Sequence, residues 1–413
     1  MQNLDFHLRR IHPKPTFSIV ELLLNEDEVS ARRINEAEVT QPLCTAIQIA
    51  IVDLFSQWNI EPVVSIGHSS GEIGAAYAAG LISAPEAITA AFCRGRAVAE
   101  NSAPGSMLAV GLGVEEVQEL LHSAANDVCV ACENSPSSVT LSGTTESISE
   151  FQDILNSKGI FARELKTGKA YHSPHMAPVS KAYDIMLSDA LSTLTQNDLG
   201  WRRHRSHMIS SVTGELIAEN HIRPDYWSTN LRQRVRFHSA VQRLGSGAEF
   251  SHMDMMVEIG PHSALSGPFK QICKVHELTP FTYVPSMVRN KDDAAQLLSV
   301  AGSLFLAGYS VDLETVNAPG PIASSPRKPK TQHLLVDLPP YQWNYEKRYW
   351  AEPRGSAEQR SRLYPRHDLL GSRVSGLTDH ALVWRNVLRH RDIPWLKDHN
   401  VSVLPIGRTR TMC

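Results

Sequence analysis

Cysteine is scarce in this chain, with 6 in 413 residues, and no spacing among them outlines a disulfide framework. That excludes small cross-linked secreted scaffolds and fits a reducing, cytoplasmic setting. Charge of one sign is lacking as well. A formal net charge of −3, with 20% charged residues, creates no global field that would gather nucleic acid or an anionic membrane, so neither is expected as a partner. No apolar stretch reaches the ~18 residues that a membrane span requires. The opening Met1-Gln2-Asn3-Leu4-Asp5 has no basic stretch followed by an apolar core, so no secretory signal is read. What is there is a chain that is 42% hydrophobic, long enough to bury a sizeable core in two or three units.

Cys129 and Cys132 form a lone C-x-x-C in the apolar run Val128-Cys129-Val130-Ala131-Cys132. Residues three apart on a strand face opposite sides, which predicts two structural thiols rather than a metal clamp. A buried helix is predicted from Thr40, as N-cap, to Trp58, with apolar residues around nearly the whole circumference. Pro62-Val63-Val64-Ser65-Ile66 reads as a buried strand, followed by the abrupt Gly67-His68-Ser69-Ser70-Gly71, then a small-residue helix from Glu72 to Ala79 stopped by Gly80. Ser83 and Glu86 form a capping box at the start of a further helix that carries Phe92, Cys93 and Arg94. From Gly105 to about Ala170, short strands and helices alternate, which predicts an inserted α+β unit. The chain then returns to a larger body with strands at Met208–Val212 and Met256–Ile259. Residues from about 318 to 332, rich in Pro, Ser and Lys, mark a linker, and a further break falls near Arg354 to Arg362.

Gly67-His68-Ser69-Ser70-Gly71 fits G-x-S-x-G in the context that gives the motif meaning, after a strand and before a helix. Glycine permits the strained turn that lifts a serine hydroxyl clear of the sheet, and the Ser70 N–H sits where a helix N-terminus can receive an oxyanion. Ser69 needs a base, and 18 histidines are available. His172 and His175 in Tyr171-His172-Ser173-Pro174-His175 stand where the chain re-enters the main body, and on these grounds the two are tied. Arg94 has two readings: a solvated cation, or, among Ala90, Ala91, Phe92 and Cys93, a buried guanidinium that needs a carboxylate partner.

These residues carry a resemblance. Gly67 to Gly80, with Gln41-Pro42-Leu43-Cys44-Thr45-Ala46, Ser210-Ser211-Val212-Thr213-Gly214, Tyr226-Trp227, Val235-Arg236-Phe237 and Glu258-Ile259-Gly260-Pro261-His262, resembles the acyltransferase domain of fungal highly reducing iterative type I polyketide synthases. The resemblance implies an α/β-hydrolase-like core at 1–104 and 171–317 with an inserted ferredoxin-like subdomain at 105–170. It makes Ser69 the nucleophile and His172, not His175, its base, oriented by a main-chain carbonyl matched to Asn230. Ser70 supplies the oxyanion N–H, Arg94 pairs with the free carboxylate of a malonyl group, and His68 and Tyr171 lie beside the substrate. The implied reaction carries malonyl from malonyl-CoA, with no bound cofactor, to the phosphopantetheine thiol of an acyl carrier protein. Tyr171 is bulky where methylmalonyl-selective members tend to carry a small residue, which favours malonyl.

The resemblance also implies a linker at 318–355, with Asp337 to Trp343 and Tyr349-Trp350 resembling the segment that follows such acyltransferases. Residues 356–413 then resemble the opening of a dehydratase, through His367-Asp368-Leu369-Leu370-Gly371 and Pro394 to His399. Other polyketide synthase domains are therefore implied partners. By this comparison the chain is a fragment, beginning after the family's first strand and the loop that donates a second oxyanion N–H. Two other readings stand beside this one: a catalytically silent fragment that only docks to partners, and a stand-alone serine hydrolase.

Overall fold

Small apolar residues decide how closely the helices of the main body approach one another. The structure is a computed structural model; it describes all residues except 26, 101–102, 125–126, 196–197, 199–205, 219–220, 246–249, 251, 279–280, 319–336, 348, 399, 402–403 and 406–413. Three short helices, α1 (Gln2–Leu8), α2 (Ile19–Leu24) and α3 (Glu28–Arg33), lead to α4 (Ala37–Gln57), β1 (Val64–Ile66), α5 (Gly71–Ala78) and α6 (Ala84–Ala99). Helix α4 starts ahead of the expected Thr40: its N-cap is Glu36, and the Thr40 N–H already bonds the Glu36 carbonyl at 2.8 Å. Val39 extends the apolar face into the core, so packing carries the helix back past the capping residue. By length and composition α4 is long and apolar enough to cross a membrane, contrary to the sequence expectation, and 56% of its most apolar window is buried inside the protein.

Helix α5 begins and ends as its residues dictate. Glu72 to Ala78 are all buried. Its end is a Schellman turn: Gly80 has φ of 71°, its N–H bonds the Tyr77 carbonyl at 3.0 Å, and the Leu81 N–H bonds that of Ala76 at 2.9 Å. The capping box at Ser83 and Glu86 is present at the start of α6. Helix α6 packs against α4 and α9 (Ala177–Ser192), where Tyr183 donates to the Ala90 carbonyl at 2.9 Å. Parallel β1 and β6 (His207–Ile209) pair beside this core.

Residues 106–165 form a strand–helix–strand–strand–helix–strand unit: β2 (Ser106–Val110), α7 (Val114–Ala124), β3 (Val128–Ser135), β4 (Ser138–Gly143), α8 (Thr145–Ser157) and β5 (Ala162–Leu165). Its sheet runs β3-β4-β2-β5, all antiparallel. Leu108, Val110, Val130, Val139, Leu141, Ile148, Phe151 and Leu155 make its own core. The expected alternation across Cys129 and Cys132 is interrupted by a register shift between Val130 and Cys132. The bulge turns both Ala131 and Cys132 toward the main body, where they join Ile209, Val235 and Phe237. The cysteines other than Cys413 are free thiols, and among the described residues no group of three or more His, Cys, Asp or Glu is arranged to hold a metal.

The main body continues through α10 (Pro224–Arg232), α11 (Phe237–Gln242) and the parallel pair β7 (Met255–Glu258) and β8 (Thr282–Pro285). The chain divides into two compact units, Met1–Gln332 and His333–Cys413. The second contains a helix at Arg354–Arg360, a short antiparallel pair joining Ser372–Arg373 to Trp384–Arg385, and a small core at Ile393 and Leu396. His399 and residues 319–336 and 348 of the expected linker lie outside the described residues.

At Gly95 helix α6 lies close against α4: a Cβ there would stand 2.4 Å from the Ala37 carbonyl oxygen, a backbone atom that moves only with its helix. Gly95→Ala is expected to destabilise the protein by about 1–3 kcal/mol through overpacking. A thermal melt followed by circular dichroism checks this, and an unchanged midpoint would show that the two helices separate freely.

Candidate active site

Ser69 stands on the turn between β1 and α5 in a left-handed conformation, φ 56°, which a side-chain-bearing residue adopts only when its surroundings impose it. Gly67 is the reason the turn can close. A Cβ at that position would lie 2.3 Å from the backbone N and Cα of Glu72. Ser70 is the N-cap residue of α5, so the first N–H groups of the helix gather beside the serine.

His172, 3% exposed, brings Nε2 to 2.6 Å from Ser69 Oγ. Its Nδ1–H donates to the Gln233 carbonyl at 2.9 Å, which fixes the tautomer and leaves the Nε2 lone pair to accept from the serine hydroxyl. The carbonyl was expected at Asn230; the structure places it at Gln233, one residue past the end of α10, with the Asn230 carbonyl a lesser contributor to the histidine's environment. Asn230 acts through its side chain instead. Its Nδ2 donates to the Ser69 carbonyl at 3.1 Å and to Glu72 Oε2 at 3.2 Å. The reason is helical: once α10 ends, the chain extends and Gln233 turns its carbonyl to the imidazole, while Asn230 is still within the helix. His175 does not reach the serine, and pairs with Asp127 at 3.2 Å.

Burial first, and the charge of Arg94 second, hold the His172 pKa down to about 3, against the pull of the Gln233 carbonyl. The imidazole is therefore neutral and able to accept a proton. Arg94, 3% exposed, has no carboxylate partner: Nη1 donates to Gln41 Oε1 at 2.8 Å, while buried Nε and Nη2 have no hydrogen-bond partner. The guanidinium carbon lies 5.8 Å from the centroid of the Tyr171 ring. A buried cation with orphaned donors is costly unless an anion completes it. His68 bonds Asn134 Oδ1 through Nε2 at 2.8 Å and meets the edge of Phe237, so its ring is held as part of the wall. Burial lowers its pKa, which keeps it neutral as well.

The bulge in β3 reaches this site through the backbone. Val235 N–H bonds the Ala131 carbonyl and Glu133 N–H the Val235 carbonyl, both at 2.8 Å, which pins the segment that carries Gln233 to the four-stranded unit. The functional groups that sequence reasoning gave no role are the side chains of Gln41, Glu72 and Asn134 and the main-chain carbonyl of Gln233. One had a visible signal: Glu72 is the lone charge in a helix of small residues.

The family model of the acyl transferase domain matches residues 3–311. A reducing polyketide synthase of Alternaria brassicicola is 45% identical over 405 residues, which are 97% of this chain and 17% of that protein. A highly reducing polyketide synthase of Aspergillus sclerotiorum is 42% identical over 412 residues, 97% of this chain and 16% of the relative. The chain thus spans about a sixth of the length of these relatives. The crystal structure of the acyltransferase domain from module 8 of the salinomycin polyketide synthase is similar with a TM-score of 0.65 and 25% identity, covering 76% of this chain and 70% of that one. A malonyl CoA-acyl carrier protein transacylase from Clostridium perfringens, 22% identical, shares the fold with a TM-score of 0.60 over 74% of this chain and 90% of its own.

The unfolded histidine titrates near 6.5 and the folded His172 near 3, so between these values only the unfolded chain takes the proton. This group therefore removes stability as the pH falls through that window and removes none above it. Nitrogen-15 histidine NMR, with His172→Ala for assignment, is expected to show this ring neutral and protonated on Nδ1 from pH 8 to below 5. A midpoint between 6 and 7 would contradict the buried environment described.

Proposed function

The chain belongs to the acyl transferase domain family, and from that premise we propose that it carries malonyl from malonyl-CoA to the phosphopantetheine thiol of an acyl carrier protein, through an ester on Ser69. The observation that carries this reading is the pairing of a Ser–His dyad with a buried guanidinium that lacks an anion. His172 Nε2 takes the proton of Ser69 Oγ as that oxygen attacks the thioester carbonyl. The Ser70 N–H, at the head of α5, receives the oxyanion. Collapse breaks the carbon–sulfur bond, and the proton on His172 leaves with the coenzyme A thiol. The carrier thiol then gives its proton to His172, attacks the ester, and the proton returns to Ser69.

Arg94 selects the acyl group. A malonyl carboxylate meeting Nε and Nη2 would satisfy both orphaned donors and offset the positive charge that lowers His172, so the correct substrate would also make the base more basic. Tyr171, stacked on the guanidinium, fills space beside it and supports malonyl over branched homologues. A plain serine hydrolase has no use for such a cation, which is the observation against that alternative.

The finer architecture is read in the same way. A nucleophile on a sharp turn between a parallel strand and a helix supports an α/β-hydrolase-like core. The connectivity and strand order of residues 106–165 support a ferredoxin-like insertion. We read 318–355 as linker and 356–413 as the opening of a dehydratase, with other polyketide synthase domains as partners.

Intact-mass analysis after mixing with malonyl-CoA is expected to show one malonyl group added to the wild type and none to Ser69→Ala; an adduct retained by the alanine variant would place the nucleophile elsewhere. In a competition between malonyl-CoA and acetyl-CoA, Arg94→Ala should lower malonyl loading by about 10–100-fold, the equivalent of the ~1.5–3 kcal/mol of a charged hydrogen bond, and leave acetyl loading within about threefold. Equal losses for both substrates would remove Arg94 from the selection of the acyl group.

A further inference from the structure

Glu72 has no solvent exposure and lies in the first turn of α5, three residues after the nucleophile. Everything around its carboxylate donates. Oε1 accepts from the Ser211 N–H and, at 3.1 Å, from Ser211 Oγ; Oε2 accepts from Tyr226 Oη at 2.6 Å and Asn230 Nδ2 at 3.2 Å. The direction of these hydrogens is set further out. Ser210 Oγ accepts the N–H groups of Val212 and Thr213 at 3.0 and 3.3 Å, so its own hydrogen goes to the Tyr226 oxygen at 2.7 Å, and the Tyr226 hydrogen is left for Glu72. A shell made only of donors matches an ionised carboxylate. Burial pushes its pKa up to about 7 while those same donors pull it down.

The Asn230 amide has two hydrogens and two acceptors: Glu72 Oε2 and the carbonyl of Ser69, the residue held at φ 56°. From the end of the same helix, Leu231 gives its carbonyl to the His172 N–H at 3.2 Å and Gln233 gives its own to Nδ1. Glu72 therefore joins the turn that carries the serine to the segment that aims the imidazole. We propose that Glu72 is a positioning residue: its carboxylate, through the Asn230 amide, sets Ser69 Oγ against His172 Nε2. This rests on the Ser69–His172 dyad and deepens it, without depending on which acyl group is carried. A Gln at position 72 keeps the volume but turns an NH2 against a shell of donors, so one side of the carboxamide must break its contacts.

The test uses the full chain and a fluorophosphonate, a probe that reacts with any activated serine: the Ser69 Oγ–P bond forms, P–F breaks, and fluoride leaves as the hydroxyl proton passes to His172. Labelling is resolved into the maximal rate kinact and the half-saturation constant KI, with thermal melts recording stability separately. Glu72→Gln and Asn230→Ala are each expected to lower kinact about tenfold or more with KI within about twofold, and the double variant should be no slower than the slower single one, because both act on one relay. If Glu72→Gln does not fold, Asn230→Ala alone decides. A folded variant with a wild-type kinact and only a lower melting temperature, or a double variant in which the losses multiply, overturns the positioning role. A wild type that takes no label sinks the dyad itself, an outcome distinct from failure of Glu72.

Discussion

The hydrogen bond from His172 Nδ1–H to the Gln233 carbonyl is the contact on which the site turns. An imidazole has one proton to place, and a main-chain acceptor on Nδ1 commits Nε2 to the serine. A carbonyl oxygen does this without bringing a negative charge into a buried site. The histidine can then stay neutral beside a buried arginine, whose field would oppose an imidazolium. The position of that carbonyl depends in turn on distant parts of the chain: the end of α10, the bulge in β3 that pairs with Val235, and the carboxylate at 72 that ties α10 to the nucleophile turn.

Electrostatics give the site its direction. Arg94 and Glu72 are both buried ionisable groups that feel each other's charge, yet each has its own hydrogen-bond partners. Glu72 is satisfied by its donors and is internal to the fold. Arg94 is satisfied on one side only, by Gln41, and its buried Nε and Nη2 have no hydrogen-bond partner. Under the proposed function, the asymmetry would separate a group that holds the site together from one that chooses what enters it.

Much of the architecture was legible in the residues because local chemistry decided it. The Schellman turn at Gly80, the capping box at Ser83 and Glu86, and the strand, turn and helix around Ser69 each follow from a few neighbouring side chains. Features that depend on distant partners were not. The start of α4 is set by the burial of Val39 rather than by Thr40, and the two faces of β3 exchange at a bulge that only the register with β4 reveals. The residues around Arg94 left it either solvated or buried, and only the packed structure shows it buried against an amide from another helix. The choice between His172 and His175 came from a family pattern, and Gln233 was invisible because a carbonyl has no side-chain signature.

The central claim is that Ser69, His172 and Arg94 face one substrate, with chemistry at one end and selection at the other. A crystal structure determined after soaking with malonyl-CoA tests it directly. The account predicts an ester on Ser69 Oγ whose far carboxylate lies within hydrogen-bond distance of Arg94 Nε and Nη2. An acyl group whose carboxylate turns to solvent, with Arg94 still bonded to Gln41 alone, would contradict it.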